Sequence, residues 1–166
     1  MKFFLVAVLY AALASAAFVR IHPNGNNNKC VGVVPNVHQH LRGVTIQTCN
    51  SSNPDQQWNI NCGATYVYGG IGSIKFGDNP SYCMTGGEGL THTWTGGGNG
   101  NGISFQYCAQ GDIGQSWWYT DDDRIAIEGK GFCLDLTNGD LTDGNMLQLW
   151  QCSTGNTNQI WTTTKV

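Results

Sequence analysis

The chain has 166 residues, with eight Lys and Arg against eleven Asp and Glu, which gives a net charge of −3. A mildly acidic chain without a basic stripe argues against a nucleic-acid partner. Only 11% of its residues are charged whereas 23 are glycine, a balance that favours short strands joined by tight turns over surface helices.

The first residues have the features of a secretory leader. Lys2 precedes an apolar run, and Ala14-Ser15-Ala16 fits an A-x-A cleavage site. We therefore predict a signal peptide at residues 1–17 and a single secreted, extracellular domain at residues 18–166. A membrane anchor would need about 20 apolar residues, and no later run approaches that length, so we expect no membrane span.

Cysteine, glutamine and tryptophan recur three times in the mature chain. In each unit a tryptophan follows a cysteine by nine positions, and a glutamine stands two positions before that tryptophan. The pairs are Gln56 and Trp58, Gln115 and Trp117, and Gln159 and Trp161. A first cysteine precedes the second by 19, 25 and 19 positions, and a glycine-rich insertion at residues 95–102 explains the longer middle spacing. These offsets define repeats at about residues 18–62, 66–120 and 121–164.

The pattern inside each repeat is that of short strands. In the last repeat, residues 132–136 and 147–152 nearly alternate apolar and polar, with Asn138-Gly139 and Asp143-Gly144 as turn signals between them. A unit of about 45 residues with roughly four short strands cannot bury its own apolar face. Three units must therefore share one core around a pseudo-threefold axis.

Three Cys…Cys…Q-x-W units of this spacing resemble the ricin B-chain family of β-trefoil lectins, over about residues 18–161. The resemblance implies an all-β fold, a β-trefoil of twelve short strands with six in a barrel and six in a hairpin cap. It also implies one disulfide within each repeat: Cys30–Cys49, Cys83–Cys108 and Cys133–Cys152. Cys62 is left over, either as a buried free thiol or as an intermolecular link that would make a dimer.

Residues that recur in all three units are expected to build the shared core, so we interpret Trp58, Trp117 and Trp161 as framework. Trp94 and Trp118 have no counterpart in the other units and receive no role. The positions that differ between units are more informative about binding. Only the third unit combines an acid, an aromatic residue and two amides at the variable positions.

In the lectin family these positions form a shallow site for galactose-type sugars. The residues of matching type are Asp135, Gln148, Trp150, Asn158 and Gln159. The resemblance implies that the indole stacks on the C–H face of a pyranose, that the carboxylate and Asn158 bond its hydroxyls, that Gln148 steadies the rim and that Gln159 is mostly structural. Taken singly, the aspartate could cap a turn and the tryptophan could be incidentally exposed. The first and second units lack acid and aromatic alike and are expected not to bind this ligand.

Other constellations give no catalytic or metal site. His38 and His40 are interpreted as solvated loop residues, and residues 121–123 as an acidic turn without the spacing of a calcium loop. No C-x-x-C pair suggests zinc, and no paired carboxylates or nucleophile motif suggests hydrolysis. We predict no enzyme activity, no cofactor and no metal. Asn50-Ser51-Ser52 is a candidate glycosylation sequon.

The sequence therefore predicts a galactose- or N-acetylgalactosamine-binding lectin whose partners are glycans. A rival from another class stays open, because β-trefoils also serve as protease inhibitors that act through long surface loops. The segments at residues 31–44 and 86–102 would supply such loops. Fold alone does not choose between these functions.

Overall fold

The computed structural model of the chain describes residues 18–34, 42–60, 72–77, 79–87 and 96–166. The predictions for the signal peptide, for His38 and His40, for Cys62 and for residues 35–41 and 88–95 of the two long loops concern residues outside these ranges. Within them, no helix has the length and apolar character that crossing a bilayer requires.

The described residues form twelve β-strands and four short 3-10 helices. The first unit contains β1 (Val19–Pro23), β2 (Lys29–Val33), β3 (Arg42–Thr48) and β4 (Trp58–Ile60). The second contains β5 (Ile74–Phe76), β6 (Tyr82–Gly86), β7 (Asn101–Tyr107) and β8 (Trp117–Tyr119). The third contains β9 (Ile125–Ile127), β10 (Phe132–Leu136), β11 (Leu147–Gln151) and β12 (Trp161–Lys165). The 3-10 helices are Pro54–Gln56, Ile113–Gln115, Thr137–Gly139 and Thr157–Gln159.

The same central hairpin recurs in each unit. The second and third strands form an antiparallel hairpin, as β2–β3, β6–β7 and β10–β11. The three hairpins meet through β7, which pairs with both β3 and β11. The first and fourth strands pair as β12–β1–β4–β5 and as β8–β9. Backbone bonds from Trp117 to Gly72 and from Trp161 to Asp123 join these barrel strands further. The expected β-trefoil of twelve strands is confirmed.

The recurring tryptophans lie at the centre of this scaffold. Their side chains are buried, and each indole N–H donates to a backbone carbonyl of the second strand of its own unit. The acceptors are Val31 for Trp58 at 2.9 Å, Met84 for Trp117 at 2.8 Å and Leu134 for Trp161 at 3.0 Å. Each tryptophan thus buries a large apolar ring while its one polar group is satisfied, as expected for a core residue. The framework interpretation is confirmed.

The recurring glutamines hold the chain just after each hairpin. In each unit the amide oxygen accepts from a backbone N–H six positions earlier, and the amide nitrogen donates to a carbonyl eight positions earlier. The partners are Asn50 and Thr48 for Gln56, Ala109 and Tyr107 for Gln115, and Ser153 and Gln151 for Gln159. The side chain thus satisfies two backbone groups that lie outside the ladders of the sheet.

A disulfide closes each hairpin at its open end. The bonds are Cys30–Cys49, Cys83–Cys108 and Cys133–Cys152, with Cα atoms 5.0, 5.0 and 5.1 Å apart. These are the pairs that the resemblance implied. Each bond closes a loop worth roughly 3 kcal/mol in the chain-entropy account.

Candidate functional site

The hairpin β10–β11 determines which side chains of the third unit share a face. Asp135 lies opposite Gln148, and Cys133 lies opposite Trp150. Directly opposed residues of an antiparallel pair project from the same face, and so do residues two apart on one strand. The carboxylate of Asp135 and the indole of Trp150 therefore stand on one face, while the leucines that alternate with them point into the core.

Asp135 is held by two side-chain amides. One carboxylate oxygen accepts from Nε2 of Gln148 at 2.8 Å, and the other accepts from Nδ2 of Asn156 at 3.2 Å. The residue is 3% exposed, and no described Lys or Arg forms an ion pair with it. An ionised carboxylate has about four acceptor positions, so two amide donors leave capacity for further donors such as sugar hydroxyls.

Trp150 differs from the framework tryptophans because its side chain reaches solvent, with 40% of the residue exposed. The strand end that carries it is fixed by the glycine-rich segment of the second unit. The backbone N–H of Gly100 donates to Leu149 O at 2.9 Å, and Oδ1 of Asn99 accepts from Gln151 N–H at 2.7 Å. The inserted segment thus bonds to the residues on both sides of the exposed indole.

Asn158 belongs to the 3-10 helix Thr157–Gln159, which Asn156 caps by accepting from the N–H of Asn158 at 3.1 Å. The side chain of Asn158 packs on Gly139, where an added Cβ would lie 2.9 Å from its Oδ1. Together with Leu136, the two residues line a cavity of ≈ 330 Å³. No direct bond joins Asn158 to Asp135; Asn156 contacts both.

Gln159 lies deeper than the other predicted sugar-binding residues. It is 0% exposed, and both ends of its amide are bonded to the backbone of Ser153 and Gln151. These bonds agree with the mostly structural role that was expected for it, and a polar contact between Gln159 and a sugar stays a prediction.

In the first unit, the position equivalent to Trp150 is a glutamine whose amide folds inward. Nε2 of Gln47 donates to Val33 O at 3.0 Å and to Thr45 Oγ1 at 3.1 Å. The amide lies over Gly32, the residue that stands where the third unit has Asp135, and an added Cβ there would be 2.8 Å from Gln47 Oε1.

The second unit is filled in a similar way. Gln106 is buried and donates to Ser104 Oγ at 2.9 Å. Thr85, in the position of the aspartate, accepts from Nε2 of Gln115 at 3.0 Å. At the positions equivalent to Asp135 and Trp150, neither of these two units offers a carboxylate or an exposed ring.

His22 is the centre of a buried cluster that sequence spacing did not reveal. Its Nδ1 lies 3.8 Å from Cys30 Sγ and 3.7 Å from Cys49 Sγ. Both sulfurs belong to the disulfide, and the ring nitrogens bond Lys29 O and Thr164 Oγ1, each at 2.8 Å. The cluster therefore ties β1 to β2 and β12, and it lacks the free thiolates that a metal would require.

Sequence reasoning missed Asn156 and Asn99. A signal for Asn156 was present, because Asn53, Asp112 and Asn156 stand three positions before the recurring glutamines, and each caps its 3-10 helix. Only in the third unit does the capping side chain also form a hydrogen bond to an aspartate carboxylate. Nothing in the sequence marks Asn99, whose bond to Gln151 depends on how two units pack.

Comparisons with known proteins agree with this architecture. The family model described as "Ricin-type beta-trefoil lectin domain" matches residues 17–161. The beta-galactoside-specific lectin 2 of Viscum album is 42% identical over 45 residues, which are 26% of this chain and 8% of that protein. Agglutinin from Abrus precatorius superposes with a TM-score of 0.65 at 24% identity, over 90% of this chain and 48% of that one. The C-half of an earthworm R-type lectin, solved in complex with GalNAc, gives a TM-score of 0.67 at 14% identity, over 90% and 99% of the two chains.

The fold and the match over nearly the whole chain define a β-trefoil with the framework of a sugar-binding domain. The chain belongs to the ricin-type β-trefoil lectin family. It spans about half the length of the Abrus agglutinin chain and a small part of the Viscum lectin.

Proposed function

We propose that the chain is a secreted lectin that binds terminal galactose or N-acetylgalactosamine through its third unit and catalyses no reaction. The observation that carries the proposal is the pairing of the Asp135 carboxylate with the exposed Trp150 indole on one face of the β10–β11 hairpin. The GalNAc bound to the earthworm lectin and the β-galactoside named for the Viscum lectin support this class of sugar.

The chemistry of the face suits a hydroxyl-rich ring with one apolar side. A galactose-type pyranose offers a patch of C–H bonds to an indole and a pair of hydroxyls to a carboxylate. Charge-assisted O–H···O⁻ bonds are the stronger kind, and Asp135 is oriented for them by Gln148 and Asn156. Asn158 offers a donor and an acceptor at the rim of the neighbouring cavity.

The first and second units support a single site per chain. Their equivalent positions carry Gly32 with Gln47 and Thr85 with Gln106, and the two glutamines bond within their own units. A single shallow site corresponds to a dissociation constant of about 0.1–1 mM, equal to ~4–5.5 kcal/mol of binding free energy. Tighter attachment to a cell surface then requires linked copies, such as a dimer through Cys62.

Isothermal titration with methyl β-galactoside tests the assignment. Asp135→Asn removes the charge at constant shape, and Trp150→Ala removes the ring, so each is expected to weaken binding by about tenfold or more, or ~1.4 kcal/mol. Gln106→Ala is the matched control, because it truncates the side chain equivalent to Trp150 in the second unit. Parent-like affinity in both third-unit variants would refute the site.

A further inference from the structure

Trp118, at a position where the other repeats have no tryptophan, is aligned with Trp150 by the strand register. It lies opposite Ala126 in the β8–β9 pair, and Ala126 lies opposite Cys133 where β9 meets β10. Cys133 in turn lies opposite Trp150 in β10–β11. Since directly opposed residues project from the same face, these four residues form one row across four neighbouring strands. We call them the indole row.

Both ends of the indole row reach solvent, and the two residues between them have short side chains. Trp118 and Trp150 are each 40% exposed. The two residues between them in the row are Ala126, which has a single methyl group, and Cys133, whose buried sulfur is engaged in the disulfide with Cys152. Three strand spacings place the Cα atoms of the two tryptophans about 14 Å apart. One pyranose ring is too short to touch both indoles, whereas a chain of several rings can.

The equivalent row of the second hairpin is built differently. Asn59 lies opposite Lys75, Lys75 opposite Cys83, and Cys83 opposite Gln106. This row has amides at its two ends and a long cationic side chain in the middle. It offers no aromatic surface and no clear path between its ends.

The row that runs to the first hairpin has a buried imidazole in its middle and no aromatic residue at its ends. Thr162 lies opposite His22, whose ring contacts the sulfur of Cys30, and Cys30 lies opposite Gln47. His22 is buried and bonded at both nitrogens. Among the described residues, the pair of exposed indoles therefore occurs only in the row that also neighbours the carboxylate of Asp135.

We propose that the indole row binds an oligosaccharide with a galactose-type end. This rests on the proposed function: the terminal ring lies on Trp150 beside Asp135, and the chain runs over Ala126 so that an inner ring stacks on Trp118. The ligand class is then an extended glycan chain, and Trp118 is a specificity-determining residue that selects length.

Calorimetric titration with two probes tests the proposal. The probes are methyl β-galactoside and a tetrasaccharide that ends in β-galactose, and the parent is expected to bind the tetrasaccharide about tenfold more tightly, or ~1.4 kcal/mol. Trp118→Ala should remove that gain and leave the affinity for the galactoside unchanged. Ala126→Lys, which places in the row the residue type found at Lys75, should have the same effect by blocking the path. Asn59→Ala, at the position equivalent to Trp118, should change neither affinity.

The outcomes separate this inference from the proposed function. Equal affinity of the parent for the two probes, or undiminished tetrasaccharide binding in Trp118→Ala and Ala126→Lys, overturns the indole row and leaves the galactoside site standing. Absence of binding to both probes by the folded parent overturns the proposed function and the row together. Circular dichroism and a thermal midpoint establish that each variant is folded.

Discussion

Replacing Gln159 by alanine tests whether the recurring glutamines hold the scaffold together. The substitution removes the acceptor of the Ser153 N–H, at 2.9 Å, and the donor to Gln151 O, at 3.0 Å. A buried backbone group without a partner costs about 1–3 kcal/mol. Ser153 and Gln151 are themselves exposed, so water can partly replace the lost bonds, and we expect a loss of about 2–3 kcal/mol for the two groups together.

Urea titration followed by tryptophan fluorescence measures this loss as a fall in the free energy of unfolding. For a domain of this size the thermal midpoint should fall by about 4–12 °C. Gln151→Ala is the matched control, because the Gln151 side chain is exposed and only its backbone carbonyl accepts the bond from Gln159. Gln115→Ala should cost more than Gln159→Ala, since its amide also donates to the buried Thr85 hydroxyl. A loss below about 0.5 kcal/mol, the usual range of a surface substitution, would refute the reasoning.

Two further predictions concern the disulfide of the third unit and the loss of stability at acidic pH. Joint replacement of Cys133 and Cys152 by alanine should lower the free energy of unfolding by about 3 kcal/mol in urea, and a loss below about 1 kcal/mol would contradict the cross-linking role. The bond from Lys29 to Asp143, at 2.6 Å, holds the pKa of that carboxyl below its usual range. A lowered folded pKa adds stability above the unfolded value near 4, and this contribution is lost as the pH falls through the folded value. Asp143→Asn should therefore lower the thermal midpoint at pH 6 but not at pH 2, and equal differences at both would contradict the linkage.

The framework residues could be predicted from the sequence because they recur in all three repeats. Gln56 and Trp58 have counterparts at fixed offsets in each unit, and their structural role follows from recurrence alone. The hairpins could also be anticipated, since turn signals separate two strand-like segments that each carry one cysteine of a pair. The register of the third hairpin places Asp135 opposite Gln148.

Contacts between elements that are distant in sequence could not be obtained in this way. The bond from Asn99 to Gln151 joins two units across 52 positions. The alignment of Trp118 with Trp150 depends on three strand pairings in succession, β8–β9, β9–β10 and β10–β11, and the second is a single pair of residues. No spacing rule encodes such a row, because each pairing adds its own offset.

The different roles of the two faces explain how the proposed sugar site can be confined to one unit. The residues that alternate with Asp135 along β10 fill the shared core, so they are constrained by the other two units. Asp135 itself faces away from that core, and its equivalents Gly32 and Thr85 show that the position accepts very different side chains once a neighbouring amide occupies the space. Substitution there changes the ligand chemistry at little cost to the fold, whereas substitution of the recurring tryptophans would remove buried rings of 150–250 Å² each. The scaffold therefore permits each unit to gain or lose a site independently, and Asp135→Gly together with Trp150→Gln should give a folded protein whose third unit resembles the first.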